Sequence, residues 1–143
     1  MKQIIPYLFF DGDCRQAIEF YKECLDGRLK TFLTYSQRPK DSQIVVDETQ
    51  QNQILHATLV FWGGSIMAAD NLEGYANLTK QKKSNIHLSL SFDDFFQMEK
   101  TFDALSNGGR IVEKLADTFW GSRFGMVQDK FGINWMFSCE IAG

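Results

Sequence analysis

The stretch FWGSRFGMVQDKFGINWMFSCE, residues Phe119–Glu140, is where the fold prediction starts. Two apolar runs flank Lys130-Phe131-Gly132, and a glycine in a short polar break is typical of a turn between strands. Beyond the turn one face would carry Ile133, Trp135, Phe137 and Cys139, and the other Asn134, Met136, Ser138 and Glu140. This period of two predicts a closing hairpin with one buried face.

The composition of the chain is that of a packed globular protein. Its 143 residues are 44% hydrophobic and 14% aromatic, which is enough for one domain with a real interior. The net charge is -3, and the basic cluster Lys80, Lys82 and Lys83 is interpreted as a solvated loop. No apolar run reaches the roughly 20 residues of a spanning helix. We therefore expect neither nucleic acid nor a membrane as a partner.

The cysteines indicate the compartment. Cys14, Cys24 and Cys139 are odd in number and lack a CxxC spacing. Reduced thiols in a cytoplasmic protein are the simplest interpretation of that pattern.

The first half of the chain predicts a strand followed by a helix. Ile4–Phe10 is apolar enough for a strand buried on both faces, with Pro6 at an edge or a bulge. Asp11 or Asp13 is expected to cap the helix, and Gly27 to end it in the left-handed conformation. The apolar stripe of the helix is Cys14, Ala17, Ile18, Tyr21, Cys24 and Leu25.

Three further strands and a long loop follow the first helix. Leu29–Tyr35 is predicted as a strand, and residues 36–53 as a loop with a short helix or strand around Ile44 to Val46. Ile54–Trp62 and Ser65–Asp70 form a predicted hairpin. Its turn is assigned to Gly63-Gly64, since glycines tolerate the positive φ angles of tight turns.

The second half predicts the same order of elements after a polar linker at 71–85. Ile86–Phe92 is a strand, Asp93-Asp94 a capping turn, and Gly108-Gly109 the end of a helix. Arg110–Leu115 is the next strand, and the closing hairpin completes the chain. The stripe of the second helix is Phe95, Met98, Phe102 and Leu105.

The two halves align with each other as an internal repeat. The aligned pairs are Leu8 with Leu90, Phe10 with Phe92, Asp11 with Asp93, Phe20 with Phe102, Gly27 with Gly109, Arg28 with Arg110, Leu29 with Ile111, Gly64 with Gly132, and Ala68 with Met136. We predict an α+β fold of two βαβββ modules that form a curved mixed sheet with helices on its outer face. The whole chain, 1–143, would be one domain, with module one at about 1–70 and module two at about 86–141.

The alternation within the strands predicts which residues line the inner face of the sheet. In Ile86–Phe92 the apolar residues face the helix, whereas His87, Ser89 and Ser91 face the other way. By the repeat, Ile5, Tyr7 and Phe9 occupy the matching positions of module one, and Ala68 and Asp70 match Met136 and Ser138. An apolar concave wall with a few polar groups is the usual form of a small-molecule site.

Three segments carry a resemblance to a known family. PYLFFDGDCRQAIEFYKE, HATLVFWGGSIMAAD and the closing stretch resemble the vicinal oxygen chelate superfamily, which includes glyoxalase, extradiol dioxygenases and bleomycin-resistance proteins. Within it the chain is similar to the PhnB-like branch. The resemblance implies a glyoxalase-like pair of βαβββ modules, assembled as a homodimer.

The resemblance also implies where a metal would bind. The family's four ligand positions fall at Ile5 (Pro6 if the turn has no insertion), Ala68, His87 and Met136, and of these only His87 is an ordinary ligand. A catalytic divalent site needs about three protein ligands. We therefore predict no cofactor and no metal, with a divalent metal as the alternative; the candidates for such a displaced site are His87, His56 and Glu140.

His87 is the best catalytic candidate, because an imidazole near neutrality suits acid–base chemistry. The alternative is a histidine satisfied by Ser89 or Tyr7. Trp120 could stack a flat ligand and Arg123 could hold an anionic group, or each could be an exposed surface residue. The predicted ligand-binding set is Tyr7, Phe9, His56, Ala68, Asp70, His87, Ser89, Trp120, Arg123, Asn134, Met136 and Ser138.

The sequence thus favours a small-molecule-binding protein of this superfamily without a complete metal site, and it leaves the reaction open. One alternative is a metal-dependent lyase or dioxygenase with non-standard ligands. Another is a structural or regulatory dimer with a vestigial cleft. The methyltransferase label used for the PhnB-like branch finds no glycine-rich cofactor loop in this chain.

Overall fold

A computed structural model describes residues 2–39, 45–72 and 84–141. It divides into two compact units, Met1–Gln81 and Lys82–Gly143. Each unit has the order strand, helix and three strands, so the predicted α+β fold of two βαβββ modules is confirmed. Ile44, the Lys80 to Lys83 run and most of the predicted linker lie outside the described residues.

The first unit contains one helix and a four-stranded sheet. The elements are β1 (Tyr7–Phe10), α1 (Cys14–Leu25), β2 (Arg28–Thr34), β3 (Ile54–Phe61) and β4 (Gly64–Asp70). The sheet order is β1-β4-β3-β2, with β1 parallel to β4 and the other pairs antiparallel. In the described parts of the 36–53 loop, two short 3-10 turns occupy Tyr35–Gln37 and Glu48–Gln50.

Strand β1 is shorter and more exposed than predicted. Ile4 is fully exposed, Tyr7 is exposed, and of the strand residues only Phe10 is buried. The prediction of a strand buried on both faces is therefore wrong, because Tyr7 and Phe9 point to the side of the sheet that its helix does not cover. β1 lies at the edge of this sheet, with β4 as its neighbour. Pro6 lies just before the strand, and its carbonyl accepts a hydrogen bond from Met67 N at 2.9 Å. An edge position suits a residue without an N–H donor.

Helix α1 buries the predicted stripe except for Cys24, which is half-buried, and its ends differ from the prediction. Cys14, Ala17, Ile18, Tyr21 and Leu25 are buried. The left-handed residue at the C-terminus is Asp26, with φ 51°, instead of Gly27. Gly27 is needed for a different reason: a Cβ there would lie 2.9 Å from Leu59 Cδ1, so the chain passes too close to β3 for a side chain.

The N-terminus of α1 is closed by Asp70, a residue distant in sequence. Asp13 occupies the N-cap position without a side-chain capping bond, so the predicted cap by Asp11 or Asp13 is wrong. Instead, Asp70 Oδ1 accepts from Gly12 N and Cys14 N at 3.0 Å each, and Oδ2 accepts from Ile54 N at 2.8 Å. Burial raises the pKa of the Asp70 carboxyl, against the opposite effect of these backbone bonds. Asp70 thus joins β4, α1 and β3.

The turn between β3 and β4 lies one residue earlier than predicted. Phe61 pairs with Gly64, so the two turn residues are Trp62 and Gly63. Trp62 adopts φ 49°, a left-handed conformation that is unusual for a bulky side chain. Gly64 already belongs to the strand.

The second unit repeats the arrangement of the first. Its elements are β5 (Leu88–Phe92), α2 (Phe95–Ser106), β6 (Arg110–Asp117), β7 (Ser122–Gln128) and β8 (Asn134–Glu140). The sheet order is β5-β8-β7-β6, with β5 parallel to β8 and the other pairs antiparallel. Ile86 precedes β5 and is 70% exposed, so its predicted position facing the helix is wrong.

The ends of α2 follow the sequence signals. Asp94 Oδ1 accepts from Phe96 N at 2.9 Å, which confirms the predicted capping turn. Gly108 has φ 76° and ends the helix as predicted. Gly109, the repeat partner of Gly27, passes so close to β7 that a Cβ would overlap the Gln128 carbonyl oxygen. The aligned glycines therefore serve the same close approach in both units.

The closing hairpin has the predicted faces and turn. Trp135, Phe137 and Cys139 are buried, whereas Asn134, Met136 and Ser138 are half-buried and Glu140 is exposed. The turn is organised by Asp129, a buried carboxylate that the sequence analysis missed. Its oxygens accept from Phe131 N at 2.8 Å, Ile133 N at 3.0 Å and Trp135 Nε1 at 2.8 Å. An aspartate directly before a glycine-containing turn was the available signal.

The strand register corrects the alignment of the two hairpins by one residue. Tyr7 lies beside Met67 in the first unit, and Ser89 lies beside Met136 in the second. Met67 therefore corresponds to Met136, and Ala68 to the equally buried Phe137. Because side chains alternate along a strand, this one-residue difference moves Ala68 and Asp70 to the helix side. Their predicted place on the same face as Met136 and Ser138 is wrong.

Each sheet thus has a face away from its own helix, called here the helix-free face. In the first unit it carries Tyr7, Phe9, His56, Thr58 and Met67, and in the second Ser89, Ser91, Met126, Met136 and Ser138. Within the described parts of the chain, no helix has the length and apolar character needed to cross a bilayer.

Candidate functional site

The helix-free face of the first unit holds a hydrogen-bonded chain of three side chains. Tyr7 Oη lies 3.0 Å from His56 Nδ1, and His56 Nε2 lies 3.0 Å from Thr58 Oγ1. A neutral imidazole has one donor and one acceptor nitrogen, and each hydroxyl can take either role. The imidazole is therefore hydrogen-bonded at both nitrogens. Either tautomer fits, because the hydroxyls of Tyr7 and Thr58 can each donate or accept. We call these residues the Tyr7–His56–Thr58 chain.

Strand geometry brings the members of this chain together. His56 and Thr58 are two apart on β3, so their side chains project from the same face. Tyr7 reaches them from β1, at the far side of β4. Tyr7 and His56 were predicted site residues, whereas Thr58 was not, although its spacing of two residues from His56 was a signal for it.

The aromatic ring of Phe9 lies next to the Tyr7–His56–Thr58 chain. The Tyr7 ring centroid lies 4.9 Å from that of Phe9 and 5.6 Å from that of His56. Tyr7 is 40% exposed, and Phe9 and His56 are half-buried, so the rings are open to contact from outside the unit. Ring faces next to a few fixed polar atoms suit a flat molecule with polar edges.

His87 lies just before β5, on the side of Ser89 by the strand alternation, and is half-buried. Its Nδ1 atom is buried and forms no hydrogen bond with the residues that the structure describes. A buried ring nitrogen without a partner is uncommon in folded proteins. Its expected satisfaction by Ser89 or Tyr7 is not seen, and His87 stays a predicted catalytic candidate.

The side chains at the family's ligand positions do not fit a divalent metal. The register replaces Ala68 by Met67, so the four positions are Ile5 or Pro6, Met67, His87 and Met136. Three of these are apolar or thioether side chains, and three protein ligands are needed for a catalytic site. Across residues 2–39, 45–72 and 84–141, no three His, Cys, Asp or Glu side chains are grouped as a metal site would require.

Arg123 is engaged on the helix side of the second unit. Its Nε donates to Asp117 Oδ1 at 2.8 Å, Nη1 lies 3.7 Å from Glu99, and the guanidinium carbon lies 4.1 Å from the Phe95 ring centroid. The hydrogen bond to Asp117 raises the pKa of Arg123 further. The structure thus places Arg123 on the face opposite Met136 and Ser138, and its role as an anion ligand stays a prediction.

Trp120 and Ser138 share a surface hollow of about 880 Å³ in the second unit. The hollow lies at the carboxyl ends of β5 and β8 and beside the turn that precedes β7. Its described lining is Ser91, Phe92, Asp93, Trp120, Gly121, Ser122, Ser138, Glu140 and Ile141. Of the other predicted ligand residues, Ser89, Asn134 and Met136 lie elsewhere along β5 and β8.

The repeated βαβββ units and the two helix-free faces define a glyoxalase-like α+β protein with a candidate small-molecule surface. The chain belongs to the Glyoxalase/Bleomycin resistance protein/Dioxygenase superfamily, which it matches over residues 3–137. The resemblance that the sequence segments carried is thereby confirmed.

Individual relatives agree with this assignment. Protein YjdN of Escherichia coli is 30% identical over 139 residues, covering 93% of this chain and 92% of the relative. Protein PA1353 from Pseudomonas aeruginosa is 34% identical, with a TM-score of 0.82 and coverage of 99% of this chain and 100% of that chain. A Bacillus cereus PhnB protein, described as a putative 3-demethylubiquinone-9 3-methyltransferase, is 20% identical with a TM-score of 0.75, covering 96% and 99% of the two chains, and supports the fold alone.

Proposed function

We propose that this chain binds a small molecule on the helix-free face of its first unit, without a divalent metal at the family's ligand positions. The observation that carries the proposal is the Tyr7–His56–Thr58 chain, in which His56 is hydrogen-bonded at both ring nitrogens. Such bonds fix the orientation of the imidazole before a ligand arrives. Preorganised polar groups lose less entropy on binding than mobile ones.

The chemistry of this face favours a flat ligand with a hydrogen-bonding edge. The Tyr7 and Phe9 rings offer π faces, and the Tyr7 hydroxyl offers a donor and an acceptor. Met67, beside Tyr7 in the register, adds an adaptable apolar contact. The part of the earlier expectation that invoked an anionic ligand loses its support, since Arg123 is engaged elsewhere.

The test is a thermal-shift screen of the whole chain against a metabolite library. A ligand at about 100 times its Kd should stabilise the protein by about 2.7 kcal/mol. We expect the hits to lose affinity in Tyr7→Phe and His56→Gln and to keep it in the matched control Tyr35→Phe, whose hydroxyl is buried near the Asp70 carbonyl. Hits that bind Tyr7→Phe, His56→Gln and the natural chain equally would show that the ligand binds elsewhere.

Two measurements separate the alternatives. Elemental analysis of the purified protein tests the metal-dependent lyase or dioxygenase. A stoichiometric divalent ion that disappears in His87→Ala would replace the metal-free proposal. An absence of hits across a broad library would favour a structural or regulatory dimer.

We further propose a cytoplasmic homodimer. Among the described residues, which include all three cysteines, no disulfide forms. Large apolar side chains such as Ile4, Ile86 and Phe119 are strongly exposed, as expected for residues that a second copy would cover. A mass of one chain by light scattering at micromolar concentration would refute the dimer.

A further inference from the structure

The hollow at the carboxyl ends of β5 and β8 differs in charge from the face proposed above. Asp93 and Glu140 each contribute a carboxylate, and none of the described lining residues is Lys, Arg or His. Neither carboxylate has a salt bridge with any described residue. Arg123, the residue after the lining residue Ser122 on β7, is already engaged by Asp117 and Glu99. The hollow is therefore an acidic surface without an internal counter-charge.

Trp120 supplies an aromatic wall beside these carboxylates. Its side chain is 62% exposed and lies edge-on to the rings of Phe119 and Phe124, at 5.0 and 6.5 Å between centroids. A tryptophan this exposed leaves much of its ring in water, which is costly unless another molecule covers it.

The turn that carries Trp120 is held firmly in place. Thr118 Oγ1 and Thr118 N both donate to the Ser122 carbonyl, at 2.8 and 2.7 Å, and Ile141 N donates to the Gly121 carbonyl at 3.0 Å. Gly121 has φ 87°, a conformation that favours glycine. These bonds tie the turn to the end of β8, so Trp120 is held in the lining of the hollow, together with Glu140, without any ligand.

Two hydroxyl groups complete the lining. Ser91 and Ser138 are paired across β5 and β8, and neither side chain makes a hydrogen bond within the described residues. They offer acceptors for N–H groups or for the hydroxyl of a ligand. The hollow thus combines an aromatic face, two negative charges and two uncommitted hydroxyls.

We infer that this hollow binds an organic ammonium cation, stacked on Trp120 and balanced by Asp93 and Glu140. A tryptophan face attracts a cation through its quadrupole, and a quaternary or alkylated ammonium is weakly hydrated enough to leave water for it. The carboxylates supply the countercharge that an isolated aromatic wall lacks. This site shares no residue with the Tyr7–His56–Thr58 chain and stands whether or not that proposal holds.

The experiment is an NMR titration of the whole chain with choline, compared with its uncharged isostere 3,3-dimethyl-1-butanol. The indole N–H signal of Trp120, assigned by its loss in Trp120→Phe, reports on the hollow. We expect a saturable shift with choline, none with the isostere, and weaker binding as salt increases, since exposed charges are screened.

Variants separate the parts of the site. Trp120→Ala and Glu140→Gln should each weaken choline binding, with a loss of roughly 3- to 30-fold in Trp120→Ala, which lacks the cation–π contact. Because Trp120→Ala also lacks the indole N–H reporter, its binding is followed through the backbone amide signals of Gly121 and Ser122. The controls are Trp62→Ala, another exposed tryptophan, and Glu113→Gln, an exposed carboxylate of β6; both should bind choline as the natural chain does. Unchanged thermal unfolding of each variant would show that the fold is retained.

Three results would overturn the inference. They are the absence of a saturable shift with choline, equal binding of the uncharged isostere, and equal weakening in Trp62→Ala or Glu113→Gln. The first would remove the site, and the others would assign binding to apolar contact or to net charge alone.

Discussion

The two units share one frame but secure their helices in different ways. In the first, Asp70 at the end of β4 accepts the N–H groups of Gly12 and Cys14. In the second, Cys139 takes the equivalent place, because it lies beside Phe92 as Asp70 lies beside Phe10. There the helix is capped locally by Asp94. The same structural need is thus met by a distant carboxylate in one unit and a neighbouring one in the other.

This difference shows that the two units share their sheet register but not the polar contacts of their helix N-termini. Asp70 links β4, α1 and β3 through buried bonds, so removing it affects three elements at once. Asp94 serves its own helix through an exposed bond. We therefore expect the loss of Asp70 to affect the whole first unit and the loss of Asp94 to affect chiefly α2.

The helix-free faces diverge as well. By register, Thr58 corresponds to Met126, and Tyr7 to Ser89. The Tyr7–His56–Thr58 chain therefore has no counterpart in the second unit. Instead, that unit carries the acidic hollow beside Trp120, so each copy of the repeat presents its own chemistry.

The largest effect is expected from Asp70→Ala. Three backbone N–H groups would lose their acceptor in a buried place, at roughly 1–3 kcal/mol for each unsatisfied donor, so we expect a loss of about 4 kcal/mol in the free energy of unfolding. Asp94→Ala should cost about 1 kcal/mol, as for an ordinary helix cap. Urea unfolding measures both, and equal losses would contradict the contrast between the two caps.

The burial of the Asp70 carboxyl should also be visible in the pH dependence of stability. Burial raises the pKa of Asp70 in the folded state above its unfolded value, so the folded protein binds this proton more tightly. The contribution of Asp70 to the free energy of unfolding is fully present below the pKa of the unfolded state, and it declines as pH rises through the pKa of the folded state. We expect the free energy of unfolding of Asp70→Asn to lack this decline. Parallel curves of unfolding free energy against pH for the natural chain and Asp70→Asn would contradict this expectation.

A smaller effect is expected at the two aligned glycines, and it should be unequal. A Cβ at Gly109 would meet the backbone oxygen of Gln128, whereas at Gly27 the closest atom is the side-chain Cδ1 of Leu59. A side chain can rotate away and a strand cannot, so Gly109→Ala should cost about 3 kcal/mol and Gly27→Ala about 1 kcal/mol. Thermal unfolding in calorimetry compares them; the reverse order would be inconsistent with these contacts.

The smallest effect concerns the helix-free faces. Tyr7→Phe removes an exposed hydrogen bond to His56 and should cost about 0.5 kcal/mol. Ser89→Ala, at the equivalent place, should be neutral, because its side chain makes no described hydrogen bond. The His56 ring signals in NMR should shift in Tyr7→Phe and stay unchanged in Ser89→Ala. A shift in both variants would indicate a less local role for Tyr7.

Much of the fold could be predicted from sequence, and rather less of the site. Helical stripes such as Ala17, Ile18 and Tyr21 mark one face of a helix, and they were buried as predicted. Tyr7 was predicted from the alternation and the repeat, and His56 as a histidine at the start of a strand. Thr58 was missed, and Asp70 was assigned to the wrong face, because strand alternation gives the faces only once the register is known.

The sequence by itself determined the βαβββ repeat, the helix stripes and the buried face of β8. These follow from periodicities of residues that are close together in the chain. Only the tertiary structure decided that Met67, and not Ala68, corresponds to Met136, and that Asp70 caps α1. Hydrogen-bond register and capping between distant segments depend on which strands become neighbours, and local patterns do not encode that choice.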